Sequence, residues 1–374
     1  MNSFQSGKWM KRGDYESFEP APINHLWRID EPRILEALSL ADRQLGRLDM
    51  FSEYVPNLEL FVQMHVTKEA TQSSKIEDTR TEIEEAVLPE EEVTPERRDD
   101  WREVNNYIRA MRNATASLGS LPFSTRLLCD AHATLMDGVR GELKTPGEFR
   151  RSQNWIGGSN PGNARFVPPI HENVPELMGD LELFAHNRDL HLPPLLKAAI
   201  MHYQFETIHP FLDGNGRIGR LMIPLYFVAE GILKQPVLYL SDYLERHRDE
   251  YYERLTRVRR ENAMNEWLHF FLDGMTETAK NGVDTFDRIL QFQRHWEAEI
   301  QNWSPQATSG LALFRHLFAH PCVNAQQVAE AASVSKPTAY KLIARFIDHG
   351  LLREITGAKR GKLFLFKSYL ALYS

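Results

Sequence analysis

The sequence predicts a mainly α-helical protein with a short β-hairpin flap and a small, basic C-terminal unit. Three observations carry that expectation. From Trp101 to about Leu290, apolar residues recur three and four positions apart, as in Leu195, Ala199 and Tyr203 or in Ile218, Met222 and Leu225, which is the spacing of one helical face. One segment departs from it. Gln153 to Pro169, QNWIGGSNPGNARFVPP, sets Gly, Asn and Pro turn residues between β-prone flanks and fits a hairpin or an ordered flap. The charge also changes sign along the chain: from Gln306 to Ser374 nine Lys+Arg face three acids, a local +6, so the formal -7 of the whole leaves -13 on the remainder. A basic unit on an acidic body implies two surfaces with different partners.

At roughly 150 residues per domain, the 374 residues suggest two or three domains. The divisions expected are an N-terminal helical region at 1–100, a helical core at 101–300 and a C-terminal unit at 306–374. Hydrophobic residues at 42% and charged residues at 25% are ordinary globular usage, which sets aside a disordered or fibrous chain. The longest apolar stretch, Leu221 to Leu233, is broken by Pro224 and Glu230 and is too short for a membrane span. MNSFQSGKWMKRG lacks the apolar stretch of a secretory signal. Cys129 and Cys322 belong to no CxxC pair, so neither a disulfide framework nor a thiolate metal site is indicated. A reducing cytoplasm without a membrane partner is the expected setting.

The acid-rich stretch from Glu77 to Asp100, interrupted by Pro89 and Pro95, reads as the end of an N-terminal helix followed by a solvated connection. In the core, an amphipathic helix from Leu195 to about Ile208 stops near Pro210, whose ring disfavours helical angles at the residue before it. DGNG then makes a tight turn on Gly214 and Gly216. A second helix starts at about Asn215, with Ile218, Leu221, Met222 and Leu225 toward the core and Gly231 near its end. Gln301 to Gly310, with Trp303, Ser304 and Pro305, reads as the connection into the basic unit.

The chemistry concentrates in His209 to Arg220, HPFLDGNGRIGR. A glycine loop that feeds a helix N-terminus is an anion site, because unpaired backbone N–H groups and the positive end of the helix dipole face the incoming charge. Arg217 and Arg220, three residues apart, share a face of the first turns and are spaced to grip successive phosphates. Asp213 offers a hard oxygen suited to a Mg²⁺ shared with phosphate, and His209 is a base for an attacking hydroxyl near neutral pH. GNG alone would fit an ordinary turn between helices; the base, the carboxylate, the anion hole and the two clamps within twelve residues do not. The triphosphatase loop GxxxxGK[ST] and the metalloprotease HExxH do not occur, and His202 reads as a satisfied helix histidine because no third metal ligand accompanies it.

The segment resembles the Fic family motif HxFx[DE]GNGRxxR, matched by His209, Phe211, Asp213, Gly214, Asn215, Gly216, Arg217 and Arg220. The resemblance implies transfer of AMP from ATP to a Tyr, Thr or Ser hydroxyl of a protein target, the enzyme itself included, with release of pyrophosphate. By the same resemblance His209 is the general base, Asp213 the Mg²⁺ ligand, and Asn215 with the adjacent amides of the loop the α-phosphate cradle. Arg217 and Arg220 then hold the β- and γ-phosphates, and Phe211 anchors the loop. Gln153 to Pro169 is similar to the family's flap, which aligns a target segment by strand-like pairing. Arg165, Phe166 and Val167 lie where family members cover the nucleotide, and Tyr251 resembles a position that touches the nucleoside. Upstream, Ser73, Glu77 and Asp78 in SSKIED resemble the family's inhibitory [ST]xxxE[GN], whose glutamate competes with the γ-phosphate for the second arginine, here Arg220. Asp78 departs from the usual Gly or Asn.

From Leu311 onward the pattern is similar to a winged helix-turn-helix module, with Pro337 at a helix start and GAKRGK turning a two-stranded wing. Lys336, Thr338, Tyr340, Lys341 and Arg345 fall on the candidate recognition helix, and Lys359, Arg360 and Lys362 on the wing. The partner is DNA, through phosphate contacts, or another protein. A homodimer is left open. The competing functional readings are a DNA-binding regulator whose helical body senses nucleotide, and a Fic enzyme that uses another phosphate-containing donor.

Overall fold

The computed structural model of the protein describes residues 4–54, 58–139, 144–357 and 361–373. It opens on a β-hairpin absent from the sequence expectations. Strands β1 (Gly7–Arg12) and β2 (Tyr15–Pro20) pair antiparallel from Gly7↔Pro20 to Arg12↔Tyr15. The body is helical: α1 (Pro32–Tyr54), α2 (Leu58–Ile76), α3 (Ile83–Ala86), α4 (Arg98–Ser117) and α5 (Thr125–Leu135) precede the flap. After it come α6 (Val174–His186), α7 (Pro194–Ile208), α8 (Asn215–Ala229), α9 (Ser241–Arg246), α10 (Arg248–Glu261) and α11 (Met264–Gln301). Among the described residues no helix is long and apolar enough to cross a membrane.

Helix α7 is the centre of the core. Every residue from Leu195 to Ile208 is buried, so a helix without a polar face is wrapped by the others. Several of its polar members are satisfied internally, Lys197, His202 and Gln204 among them. His202 bonds the Gly219 carbonyl through Nδ1 (3.0 Å) and the Tyr251 hydroxyl through Nε2 (2.9 Å), while Trp267 Nε1 donates to the Ala199 carbonyl (2.9 Å). Helix α8 packs on α7 with Ile218, Leu221, Met222 and Leu225 buried, and Gly231 just past its end takes φ 69°.

The flap of residues 153–169 is ordered by one antiparallel bridge, Ile156↔Phe166, around a 3₁₀ turn at Pro161–Asn163, not by a long ladder. Phe18 N of β2 donates to Val167 O (2.9 Å), which ties the N-terminal hairpin to the flap.

The chain beyond α11 forms α12 (Ala307–Ala319), β3 (Cys322–Asn324), α13 (Ala325–Ala331), α14 (Lys336–Asp348), β4 (Arg353–Glu354), β5 (Leu363–Leu365) and α15 (Lys367–Leu370). The strands make an antiparallel sheet of order β3–β5–β4. This unit packs on the body: Tyr373 lies edge-on to His65 of α2 at 5.1 Å, and Arg353 pairs with Glu84 of α3 at 2.7 Å. Lys336, Tyr340 and Lys341 lie on the exposed side of α14. Arg345 does not join them, because its guanidinium stacks on Trp303 (4.6 Å) and bonds Gln306 (3.4 Å) in the connection. Thr338 Oγ1 is engaged with Ser335 Oγ (2.9 Å), and Lys362 pairs with Glu354 (3.6 Å). Lys359 and Arg360 lie outside the described residues.

Candidate active site

The loop between α7 and α8 starts with a residue in an unusual conformation. His209 caps α7 at φ 51°, ψ 62°, a left-handed setting costly for a side-chain-bearing residue and kept only where the surroundings enforce it. Arg150 and Asn154 enforce it. Arg150, buried despite its charge, donates from Nε to the His209 carbonyl (3.0 Å) and from Nη2 to the carbonyls of Ile208 (3.3 Å) and Pro169 (2.5 Å). Asn154 Nδ2 donates to the carbonyls of His209 (3.2 Å) and Phe211 (2.8 Å). Burial, the Arg150 cation and the more distant Arg259 push the His209 imidazole down to about 4, with Glu77 pulling the other way. The ring is therefore neutral at physiological pH and has a lone pair available.

The rest of the loop is clamped from two sides. Phe211 is fully buried and stacks on His132 at 3.8 Å with the rings 4° from parallel. The Gly147 N–H donates to His132 Nδ1 (2.8 Å), so the proton of the neutral ring sits on Nε2, which donates to the Asp213 carbonyl (3.0 Å). Burial holds this ring at about 4 as well. Asn215 closes the turn: its Oδ1 accepts from Phe211 N (2.8 Å) and its Nδ2 donates to Phe211 O (2.9 Å). That side chain fixes the loop with one of its two amide hydrogens, and its backbone N–H stands in the first turn of α8. Gly214 makes the entry into α8 at φ 73°.

The first turn of α8 leaves backbone N–H groups without intrahelical acceptors and faces a cavity of about 550 Å³. Arg217 and Arg220 line it, each held by a carboxylate from another element. Arg217 Nη1 meets Glu103 of α4 at 3.1 Å, with both side chains buried. Arg220 donates from Nε to Ser73 Oγ (2.8 Å) and from Nη2 to Ser73 O (2.9 Å) and Glu77 Oε1 (2.8 Å). The Glu77 carboxylate lies so close over Gly216 that any side chain there would collide with it. Burial alone would raise the Glu77 pKa, but Arg220, with Arg217 and His209 behind it, outweighs burial and holds it below the ordinary glutamate value.

The end of α2 explains Asp78. Asp78 N donates to Lys75 O (2.9 Å) and Thr79 N to Ser74 O (3.1 Å), the paired bonds of a helix stop that needs a left-handed residue. Asp78 supplies it at φ 66° and pairs through its carboxylate with Arg248 (3.0 Å), so Asp serves where Gly or Asn is usual.

Asp213 faces the same cavity. Its Oδ1 accepts from Gly214 N (2.7 Å), and its Oδ2 from Lys144 Nζ (2.7 Å). Burial opposes its ionisation, but Lys144, the Gly214 N–H and Arg217 together keep it below the usual carboxylate range. One partly exposed, ionised oxygen beside a helix N-terminus is a donor set that fits Mg²⁺, which takes one or two carboxylates and completes its shell with phosphate and water. Glu206 also lines the cavity. Burial, partly countered by Arg220, pushes its carboxyl up to about 7, and its Oε1 has no hydrogen-bond partner.

Four expected nucleotide contacts are not in the cavity wall. Tyr251 is fully buried against His202 and Trp267, because it shares the inner face of α10 with Leu255 and Val258; its neighbour Tyr252 lines the cavity instead. Arg165, Phe166 and Val167 lie on the flap's other arm. Phe166 packs under the Arg259 guanidinium (3.9 Å) and against Phe18, the Val167 carbonyl accepts from β2, and Arg165 lines a separate hollow beside the N-terminal hairpin. The flap residues that reach the cavity are Trp155, Ile156 and Gly157.

A helical hairpin whose connecting loop sets a neutral imidazole beside a helix N-terminus has the geometry to receive an anion, and similarity to known proteins narrows the class. The model described as Fic/DOC family N-terminal matches residues 35–116, and the Fic/DOC family model matches 122–227. The chain belongs to the Fic/DOC family. It is 34% identical over 128 residues to a protein adenylyltransferase Fic of Aedes aegypti, covering 34% of this chain and 23% of that protein. It is 28% identical over 185 residues to the protein adenylyltransferase Fic of Drosophila erecta, covering 48% of this chain and 34% of the fly protein. The matches thus span about a third or less of these relatives' length. Among solved structures, a Fic family protein from Desulfovibrio desulfuricans G20 shares the fold at TM-score 0.57 and 20% identity, covering 91% of this chain and 98% of that one. Fic-1 from C. elegans does so at TM-score 0.51 and 20% identity, covering 69% and 75%.

Proposed function

We propose that this protein is a Mg²⁺-dependent protein adenylyltransferase that moves AMP from ATP to a Tyr, Thr or Ser hydroxyl of a protein target, itself included, and that Glu77 restrains it. One observation carries the reading: a neutral His209 and the N-terminal turn of α8, with Arg217 and Arg220, line one cavity of about 550 Å³. His209 accepts the proton of the target hydroxyl as its oxygen bonds to the α-phosphorus. The bond from that phosphorus to the bridging oxygen breaks, and its electron pair leaves with pyrophosphate. The backbone N–H groups at Asn215 and Gly216 face the α-phosphate, and Arg217 and Arg220 hold the β- and γ-phosphates. Asp213 would hold Mg²⁺, which when bound neutralises phosphate charge. The flap residues Trp155 to Gly157 cover the site and offer backbone for pairing with a target segment.

Glu77 supports the restraint through occupancy. Its bond to Arg220 at 2.8 Å uses the cation that a γ-phosphate requires, and its carboxylate overlies Gly216, where phosphate would sit. Incubation with ATP labelled at the α-phosphate tests both parts. We expect Glu77→Gly to label itself at least about tenfold more than wild type, and His209→Ala in that background to lose label by about 100-fold or more. No label from Glu77→Gly at any Mg²⁺ concentration would overturn the adenylyl-transfer reading, and label from the γ-phosphate would indicate phosphotransfer instead. We read the C-terminal unit, 306–374, as a winged helix-turn-helix module in a cytoplasmic protein, with Lys336, Tyr340 and Lys341 on the side of α14 that would meet duplex DNA.

A further inference from the structure

Among the described residues, the cavity wall sets four carboxyl groups, Glu77, Glu103, Asp213 and the half-protonated Glu206, against the cations Lys144, Arg217 and Arg220. A polyphosphate needs a clear excess of cations there. Withdrawal of Glu77 frees Arg220, while Arg217 stays bound to the buried Glu103. The cation left to account for is Lys144, which the reaction as described does not use.

Lys144 differs from both arginines in how it is held. Its pair with Asp213 is short, 2.7 Å, but the side chains are 51% and 35% exposed, against 5% and 7% in the Arg217–Glu103 pair. An ion pair open to solvent contributes little and exchanges readily, whereas a buried one is costly to break. Lysine is also a point charge on a flexible four-carbon stem, able to turn several ångströms without losing its charge. Asp213 has one oxygen fixed by the Gly214 N–H, so the oxygen under Lys144 is the one a divalent cation would take. A doubly charged ion outcompetes an ammonium for it and repels that ammonium. The anion within reach of a displaced Lys144 is the polyphosphate on the α8 end, in the cavity the lysine already lines.

We propose that Lys144 is a further catalytic residue: its ammonium rests on Asp213 in the free enzyme and moves onto the polyphosphate in the loaded one, where it neutralises the charge that develops on departing pyrophosphate. The inference rests on the adenylyl-transfer reading. As the target oxygen bonds to the α-phosphorus and gives its proton to His209, the pair from the broken bond stays on the bridging oxygen. That oxygen gains the negative charge Lys144 meets. A cation positioned for the transition state acts on turnover more than on ATP binding.

The test uses the full chain in the Glu77→Gly background, with Lys144→Met and Lys144→Arg. For Lys144→Met we expect kcat at saturating ATP to fall by about 100-fold with KM changed by less than about threefold. Lys144→Arg should recover most of the rate. A second readout does not depend on turnover. With the α,β-methylene analogue of ATP bound, Mn²⁺ titrated by electron paramagnetic resonance should bind more tightly to Lys144→Met, because the competitor for Asp213 is gone. Unchanged kcat in Lys144→Met, or Mn²⁺ binding that is unchanged or weaker, overturns the inference. If Glu77→Gly with Lys144 intact forms no label, the underlying reading fails; if it labels and Lys144→Met labels as fast, this inference alone fails.

Discussion

The loop from His209 to Gly214 and the turn of α8 that follows it are neighbours in sequence but are held by opposite means. In the loop, neutral or permanently buried donors grip backbone carbonyls: Arg150 on His209 and Ile208, Asn154 on His209 and Phe211, His132 on Asp213. An anion does not compete for those carbonyls, so the hold does not depend on what fills the cavity. In the α8 turn the groups held are cations: Arg217 keeps the buried Glu103, whereas Arg220 is held by Glu77, a carboxylate more than a third exposed and of the charge type a phosphate can replace. The difference separates what must stay still from what must be exchanged. The imidazole is placed once; of the two arginines, only Arg220 rests on a partner that solvent can reach.

The largest effect expected from breaking the fixed side comes from Arg150→Met. It removes a charged donor from the carbonyls of Ile208, His209 and Pro169 at once and leaves Asn154 alone to hold the left-handed His209, so urea unfolding should show a loss of about 3 kcal/mol, with transfer activity down more than stability alone explains. An unshifted midpoint would mean that the loop holds its shape unaided. On the exchangeable side, Glu206 offers a pH signature. Its carboxyl sits at about 7, above the ordinary glutamate 4.5, so the folded state binds the proton more tightly than the unfolded chain. That stabilisation is complete below pH 4.5 and is lost as the pH rises through 7, a change of roughly 3 kcal/mol. Glu206→Gln should flatten the stability profile across that window; a profile as steep as wild type would exclude Glu206 as its source. The smallest effects should separate two adjacent tyrosines. Tyr251→Phe removes the bond to His202 and should cost about 1 kcal/mol of stability with KM for ATP unchanged, whereas Tyr252→Ala should raise KM several-fold with little change in unfolding. A reversed pattern would return Tyr251 to the nucleotide.

What could be read from the sequence was local. The two helices, the turn between them and the residues that line the cavity from α8 lie within one continuous stretch, so spacing alone brings them together. Glu77 was also accessible, because a family pattern named the partner it meets 143 positions away. The clamps were not: Arg150, Asn154, His132, Glu103 and Lys144 come from separate segments, and no periodicity reports that they converge. The tyrosine misassignment had a visible remedy, since Tyr251, Leu255 and Val258 follow the four-then-three spacing of a buried face and leave Tyr252 turned away from it. The N-terminal hairpin had one too, in Gly13-Asp14 between two strand-length runs, with Gly13 at φ 73°. On the flap, one bridge pair sets which arm faces the cavity, and turn composition does not encode that choice.

The stop at Asp78 has a mechanical meaning. Helix α2 ends at Ile76, so the acid that occupies Arg220 rides on the first residue past a rigid rod and is steadied from outside by a solvent-exposed contact to Arg248. Turning that one joint would swing the carboxylate off its partner while the rod stays bedded in the core. Under the restraint proposed above, this joint and not the whole of α2 is what has to move to free Arg220.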